Sequence, residues 1–364
     1  MTSIVISVNL NLFRGLRKKI IMELNKLLRK NIRTLKPYSS ARDEFSGEAM
    51  VFLDANENPY REPYNRYPDP IQKELKQKIS KLKNIPSNNI FLGNGSDEPI
   101  DLLIRAFCEP GVENIVTINP TYGMYQVAAD INNVEVIKVS LTSEFELDGE
   151  KLLQAVNDST KLIFLCSPNN PSGNSLDKNE ILKVINGFNG LVIIDEAYID
   201  FAPGKSLLPV LEKYPNLVIL QTFSKAWGMA GIRLGMAFAS VEIINVLNKI
   251  KYPYNLNILT QQKAMELLDN EKQVNVWVKK LIEEREKMAK YFSKLYFVTK
   301  VHPSDANFLL VSMKNAKAIY NYLVESGIIV RDRSKVHLCE NSLRITIGSM
   351  EEDNVLIQAL KDYI

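Results

Sequence analysis

The chain has 364 residues, 46% hydrophobic and 24% charged, the make-up of a globular protein long enough for one large domain and a smaller one. Residues 1–36 hold nine Lys/Arg and one Glu, so the net charge of +3 leaves −5 for the rest, and a basic nucleic-acid-binding face on the folded body finds no support. Two histidines, His302 and His337, and three scattered cysteines, Cys108, Cys166 and Cys339, leave no material for a histidine-rich metal centre, a Ser-His-Asp triad, a disulfide framework or a zinc site, and they fit a reducing cytoplasm.

In chain order, residues 1–13 are apolar and are followed by Arg14, Arg17, Lys18 and Lys19. That order is the reverse of a secretory signal, and the stretch is too short and interrupted to span a bilayer. A disordered extension or a misplaced start, with Met22 as the true one, is expected for residues 1–21; a basic, acid-free targeting peptide is the competing view. Leu24, Leu27, Leu28 and Ile32 recur at helical spacing before Pro37, which predicts a helix over 22–36. The polar arm 36–42 carries one aromatic, Tyr38, and reads either as a plain loop or as a lid over a ligand. Residues 51–59 read as a short strand entering an Asn- and Pro-rich turn, 66–70 as a rigid aromatic loop, and 71–82 as an amphipathic helix stopped by Asn84 and Pro86.

Residues 90–100 read as a strand, a glycine turn and a helix start, with Ser96 as the N-cap and Pro99 in the first turn. Amides at Gly95, Ser96 and Asp97 can bind phosphate there, although the acids Asp97 and Glu98 suit the first turn of any helix. Four β-rich apolar runs follow, at 114–118, 134–139, 161–166 and 191–194, separated by helical stretches or loops. Crossover connections and a mostly parallel sheet are expected, with the site beyond the strand carboxyl ends. Those ends carry Pro120-Thr-Tyr-Gly-Met-Tyr125, Ser167-Pro-Asn-Asn-Pro-Ser-Gly173 and Asp195-Glu-Ala-Tyr198. Tyr122 can stack on an aromatic ring. Asp195 is costly to bury without a cation, and a protonated pyridine nitrogen is one. Asn170 and Tyr198 can bond a phenolic ring oxygen. Turn chemistry for Asn170, a helix cap for Asp195 and core packing for Tyr122 are the structural readings of each taken singly.

A fifth apolar run, 217–220, delivers Thr222, Ser224 and Lys225 to a turn containing Gly228, Gly231 and Gly235, with Arg233 eight residues past the lysine. An amine for an aldehyde, with hydroxyls and a guanidinium for a dianion, matches pyridoxal phosphate. Taken alone, the stretch also reads as a buried strand followed by a surface lysine. The second half is helical over 241–250, 256–268 and 274–294, with strands at 307–311, 327–330 and 343–347, which describes a smaller α+β domain. Arg331 just after one of these strands and Arg344 inside another can clamp an anion, or form surface ion pairs.

With these residues on one chain, the sequence from about Leu24 to Ile364 resembles the fold-type I pyridoxal-phosphate aminotransferases, and within them the histidinol-phosphate aminotransferases. The resemblance implies an α/β, aspartate-aminotransferase-like large domain with a mostly parallel seven-stranded sheet flanked by helices, plus the smaller α+β domain. It divides the chain into residues 1–21, a joining segment 22–60, a cofactor-binding domain 61–250, and 251–364. It implies Lys225 as the lysine bonded to the cofactor, Asp195 at the pyridine nitrogen, Asn170 and Tyr198 at the ring oxygen, and Tyr122 on the ring face. Gly95, Ser96, Asp97, Thr222, Ser224 and Arg233 would hold the phosphate, with Tyr67 reaching across a homodimer. Tyr38, Asn56, Arg331 and Arg344 would bind histidinol phosphate, glutamate and 2-oxoglutarate. No metal, nucleic acid or membrane is implied, and the location is cytoplasmic. An aromatic amino-acid aminotransferase or a threonine-phosphate decarboxylase of the same fold remains open, as does a non-catalytic sensor of the cofactor.

Overall fold

A computed structural model describes residues 24–38, 51–60 and 63–363. The expectations for residues 1–21, for a start at Met22 and for the arm beyond Tyr38 lie outside them. The large sheet has seven strands: β1 Ile90–Asn94, β2 Asn114–Asn119, β3 Glu135–Ser140, β4 Thr160–Cys166, β5 Leu191–Asp195, β6 Leu217–Thr222 and β7 Leu234–Phe238. Their spatial order is β1-β7-β6-β5-β4-β2-β3, and only β7 runs antiparallel to its neighbours.

The central strands read as unbroken apolar runs because both faces are covered. Ile163 and Leu165 of β4 pack into one core and Leu162, Phe164 and Cys166 into another, so one strand feeds two layers. Because β4, β5 and β6 are parallel and in register, Cys166 lies beside Asp195 and Asp195 beside Leu220, which brings three strand ends to one edge of the sheet.

A second, antiparallel sheet holds β8 Val298–Val301, β9 Phe308–Met313, β10 Arg331–Asp332 and β11 Ser342–Thr346 in the order β10-β11-β9-β8. Leu309, Val311, Leu343 and Ile345 form its own core with helices Glu271–Phe292, Ala316–Glu325 and Met350–Asp362. Phe308 and Leu310, on the opposite face, join the core of the large sheet. The loop after β4 is stitched to this second unit. The Asp305 amide donates to the Gly173 carbonyl at 2.7 Å, while the Asp305 carboxylate accepts from the Ser175 amide at 3.1 Å and from Lys205 at 2.7 Å.

Three expected elements differ. The amino-terminal helix is broken into a turn over 24–27 and Lys30–Thr34, because the Arg29 amide bonds the Ala106 carbonyl and its guanidinium reaches Glu109 and the Arg105 carbonyl. Residues 51–59 do not form the expected strand; among the described residues nothing pairs with them in a ladder, and Val51 and Leu53 stand 68% and 88% exposed. Strand pairing expected over 327–330 begins only at Arg331, since the Gly327 and Ile328 amides are used to close the preceding helix on Val324 and Leu323.

Gly235 of β7 faces Gly93 of β1, and a Cβ placed on it would run into the backbone of Gly95 and Ser96. Gly235→Ala is expected to cost about 1–3 kcal/mol, the usual penalty of overpacking, with a matching fall in the midpoint of urea unfolding. An unchanged midpoint would refute the close approach.

Candidate active site

The site is built at the carboxyl ends of β4, β5 and β6. Asp195 closes β5 and is 2% exposed. Its carboxylate accepts from the Tyr125 hydroxyl at 2.7 Å and the Ala197 amide at 3.1 Å. Both donors are neutral, and burial pushes its pKa up to about 6 in spite of them. Tyr125 is fully buried on helix Met124–Ile131 and stacks on Phe164 at 5.0 Å, which fixes its hydroxyl. The sequence reading quoted Tyr125 without giving it a role; Tyr122, three residues earlier, lies in the turn before that helix, so helical spacing does not single Tyr125 out.

After β4 the chain turns through Asn169 and Asn170. Asn169 is buried and locks the turn by donating to the Pro120 carbonyl and the Ser172 hydroxyl. Asn170 presents its Oδ1 to the Arg344 guanidinium at 2.6 Å. Tyr198 lies edge-on to Phe308 at 5.2 Å, and Arg344 lies 5.3 Å over the same Phe308 ring.

Beyond β6, Lys225 sits with its Nζ 5.5 Å from the centre of the Tyr198 ring. Burial, and secondarily the positive charge of Arg344, hold the Lys225 pKa below its ordinary value, against the pull of Asp195. The amine is therefore easier to deprotonate than a surface lysine, which a nucleophile or base requires.

The anion cradle is assembled from both sides. Gly95 turns with φ 75°, where a Cβ would lie 2.5 Å from the Arg233 guanidinium, so only glycine lets that side chain approach. Arg233 reaches Asp97 at 3.4 Å and the Ser224 hydroxyl at 3.5 Å, and Thr222 donates to Ser224 at 2.9 Å. The Tyr122 hydroxyl donates to Asp97 at 3.1 Å, which orients its ring. Ser96 makes no side-chain cap, contrary to the sequence reading; Glu98 instead accepts from the Asn94 amide.

Ten of the predicted cofactor residues line one cavity of about 90 Å³, namely Ser96, Asp97, Tyr122, Asn170, Asp195, Tyr198, Thr222, Ser224, Lys225 and Arg233. Gly95 shapes it through the backbone, but its amide, expected to bind phosphate, already donates to the Arg233 carbonyl at 2.9 Å, which leaves Ser96 and Asp97 for that part. Tyr67 lies elsewhere, stacked on Tyr254 at 4.4 Å and 13°, and lines a separate groove with Tyr38. Tyr38 and Asn56 are exposed, as is Arg331, which faces Arg344 across the β10–β11 ladder. A larger groove of about 820 Å³ is lined by carboxylates that already cap helices or accept backbone amides, Asp148, Asp177, Glu180 and Glu196, and offers no comparable set of converging groups.

These residues fit pyridoxal phosphate. A pyridinium would supply Asp195 with the cation that its neutral donors do not, Lys225 is an amine of lowered pKa for the aldehyde, and Arg233, Ser224 and the helix amino terminus would hold the phosphate. Fold and site together define an aldehyde-cofactor enzyme working at the edge of a parallel sheet.

A family model described as aminotransferase class I and II matches residues 51–360. The histidinol-phosphate aminotransferase of Parabacteroides distasonis is 59% identical over 340 residues, 93% of this chain and 99% of that protein. Among solved structures, the histidinol-phosphate aminotransferase of Clostridium acetobutylicum superposes with a TM-score of 0.76 at 26% identity, covering 82% of this chain and 90% of that one. The enzyme of that name from Sinorhizobium meliloti, solved in complex with pyridoxal-5'-phosphate, has the same fold, with a TM-score of 0.75 at 23% identity over 82% of this chain and 84% of that one. The chain belongs to the class I and II aminotransferases, which are pyridoxal-phosphate-dependent transferases.

The raised pKa of Asp195 has a sign. Its folded value of about 6 lies above the unfolded one, so this group favours the fold at low pH and loses that contribution as pH rises through about 6. Asp195→Asn is therefore expected to stabilise the cofactor-free protein at pH 7.5 but not at pH 4.5. Each kcal/mol relieved should raise the melting temperature by roughly 2–4 °C. The same variant should lose transamination. Equal melting shifts at both pH values would overturn this account of the buried carboxylate.

Proposed function

We propose that the protein transfers an amino group between L-histidinol phosphate and 2-oxoglutarate, giving imidazole-acetol phosphate and L-glutamate, as a step of histidine biosynthesis. The observation that carries this reading is the 59% identity to a histidinol-phosphate aminotransferase along 99% of its length. The geometry of Lys225, Asp195 and Asn170 agrees with it.

When bound, pyridoxal phosphate supplies an aldehyde for the amino group and an electron-withdrawing ring. Asp195, aided by Tyr125, would keep the pyridine nitrogen protonated. Asn170 and Tyr198 would bond the ring oxygen, and Tyr122 would cover a ring face. Arg233, Ser224, Thr222 and the Ser96 and Asp97 amides would hold the phosphate. Lys225 would anchor the cofactor by its amine, and its lowered pKa suits it to take up and return one proton at the substrate Cα. Tyr38, Asn56, Arg331 and Arg344 bind the substrates, the arginines gripping the phosphate of one and a carboxylate of the other.

The active unit is a homodimer in which Tyr67 reaches the neighbouring cofactor phosphate. Tyr60, Tyr64, Tyr67 and Tyr252 support this, since each is at least half exposed and such an aromatic surface suits a partner. The protein works in the cytoplasm; among the described residues no helix is long and apolar enough to cross a membrane, and the three cysteines are free and buried. The large domain spans 61–250 and the small one 251–364, with 22–60 joining them.

A panel of amino donors tests the reaction. L-Histidinol phosphate should be preferred over phenylalanine, and the reverse preference would leave only the fold. Lys225→Ala should cost at least about 10²–10⁴ in rate, the share of a general acid–base, and the cofactor should then leave on dialysis. For assembly, sedimentation should find a dimer, and Tyr67→Phe should weaken cofactor affinity; a fully active monomer would remove Tyr67 from the site.

A further inference from the structure

The β10–β11 ladder places one more cation beside the pair already described. Arg331 faces Arg344 directly, Asp332 faces Leu343, and the Arg333 amide continues the ladder to the Ser342 carbonyl at 2.9 Å. Side chains alternate along a strand, so Arg331 and Arg333 share a face with Ser342 and Arg344. The other face is fixed independently: Leu343 is buried in the small core, and Asp332 reaches Lys317 on helix Ala316–Glu325 at 3.8 Å. Arg333 therefore lies on the side from which Arg344 touches Asn170 and Phe308, and Phe308 in turn touches Tyr198.

Three guanidiniums on one face repel one another. Burial first, then Arg344 and Arg331, work against the charged form of Arg333, and burial and Arg331 likewise against that of Arg344. Among the described residues none of the three has a carboxylate within ion-pairing distance, and the buried Nε atoms of Arg333 and Arg344 have no hydrogen-bond acceptor. Half-buried cations without a counter-charge are costly, and an anionic ligand removes that cost. Two arginines already balance a dianion; a third holds it in excess and favours the ligand with the greater charge.

We propose that Arg333 is a specificity-determining residue, a third guanidinium that recognises the second negative charge of a phosphate-bearing amino donor and so favours it over a carboxylate-bearing one. The inference rests on the reaction proposed above, in which donors of both kinds share one site. A phosphate monoester takes its second charge near pH 6, whereas a carboxylate is fully ionised well below that, so the two are separable by pH.

Arg333→Gln should lower kcat/KM for L-histidinol phosphate by about 10–100-fold, the size of a lost charged hydrogen bond, and change that for L-glutamate less than about threefold. Equal losses on both donors, or none on either, would overturn the proposal. Calorimetric binding of n-propyl phosphate and of butyrate to the cofactor-loaded protein gives a readout apart from turnover. In the unaltered protein, n-propyl phosphate should bind more tightly at pH 7.5 than at pH 5, as its dianion forms. In R333Q most of that gain should vanish while butyrate is unaffected; a retained gain refutes the role. If the unaltered protein fails to use L-histidinol phosphate while R333Q still loses n-propyl phosphate affinity, the proposed reaction fails and the role of Arg333 stands. Should R333Q not fold, Arg333→Lys decides by the same ratio, because a point charge without the planar fork should give an intermediate preference; an unchanged ratio overturns the proposal.

Discussion

A carboxylate buried at the end of a central strand, bonded only by neutral groups, sets the terms for the rest of the site. Asp195 cannot be solvated where β5 puts it, and Tyr125 with the Ala197 amide meets its hydrogen bonds but not its charge. Burial therefore holds its pKa up at about 6 where no cation faces it. Tyr125 is held by Phe164, Phe164 by the second core, and that core by the parallel register of β2, β4 and β5. The position of the buried carboxylate is thereby traced back to the packing of a sheet.

The anion cradle depends on a different constraint, the close passage of two backbones. Gly95 and Gly235 remove the Cβ atoms that would hold the β1 turn and β7 apart, and Arg233 enters through that gap. In its left-handed conformation (φ 54°) Arg233 sends its carbonyl to the Gly95 amide and its guanidinium to Ser224 and Asp97. One residue thus fixes the turn and brings a guanidinium to it.

Much of this was legible because fully buried parallel strands are short apolar runs, and the polar residues that end them stand out. The ends at Asn170, Asp195 and Lys225 were found in that way, and the structure brings them to one cavity. A buried tyrosine on a helix, such as Tyr125, reads as core until its hydroxyl is seen to have a destination. Ser, Asp and Glu stand together in the turn after β1, and spacing alone does not say which oxygen meets which amide, so the cap expected of Ser96 is not the one made. The start of 51–59 and residues 327–330 have the composition of strands, yet a strand exists only with a partner, and a partner is a tertiary fact. The break at Arg29 is likewise written by Glu109 and Ala106, about 80 residues away.

The loop after β4 belongs to the large sheet by sequence and to the small one by bonding. Gly173 and Ser175 are tied to Asp305, and Asn170 to Arg344. The fold contains, in effect, a two-point linkage: one end of the loop is held by a carboxylate and the other, at Asn170 Oδ1, by a guanidinium, so the side chain proposed for the ring oxygen and the one proposed for the substrate anion share a hydrogen bond before either ligand is present.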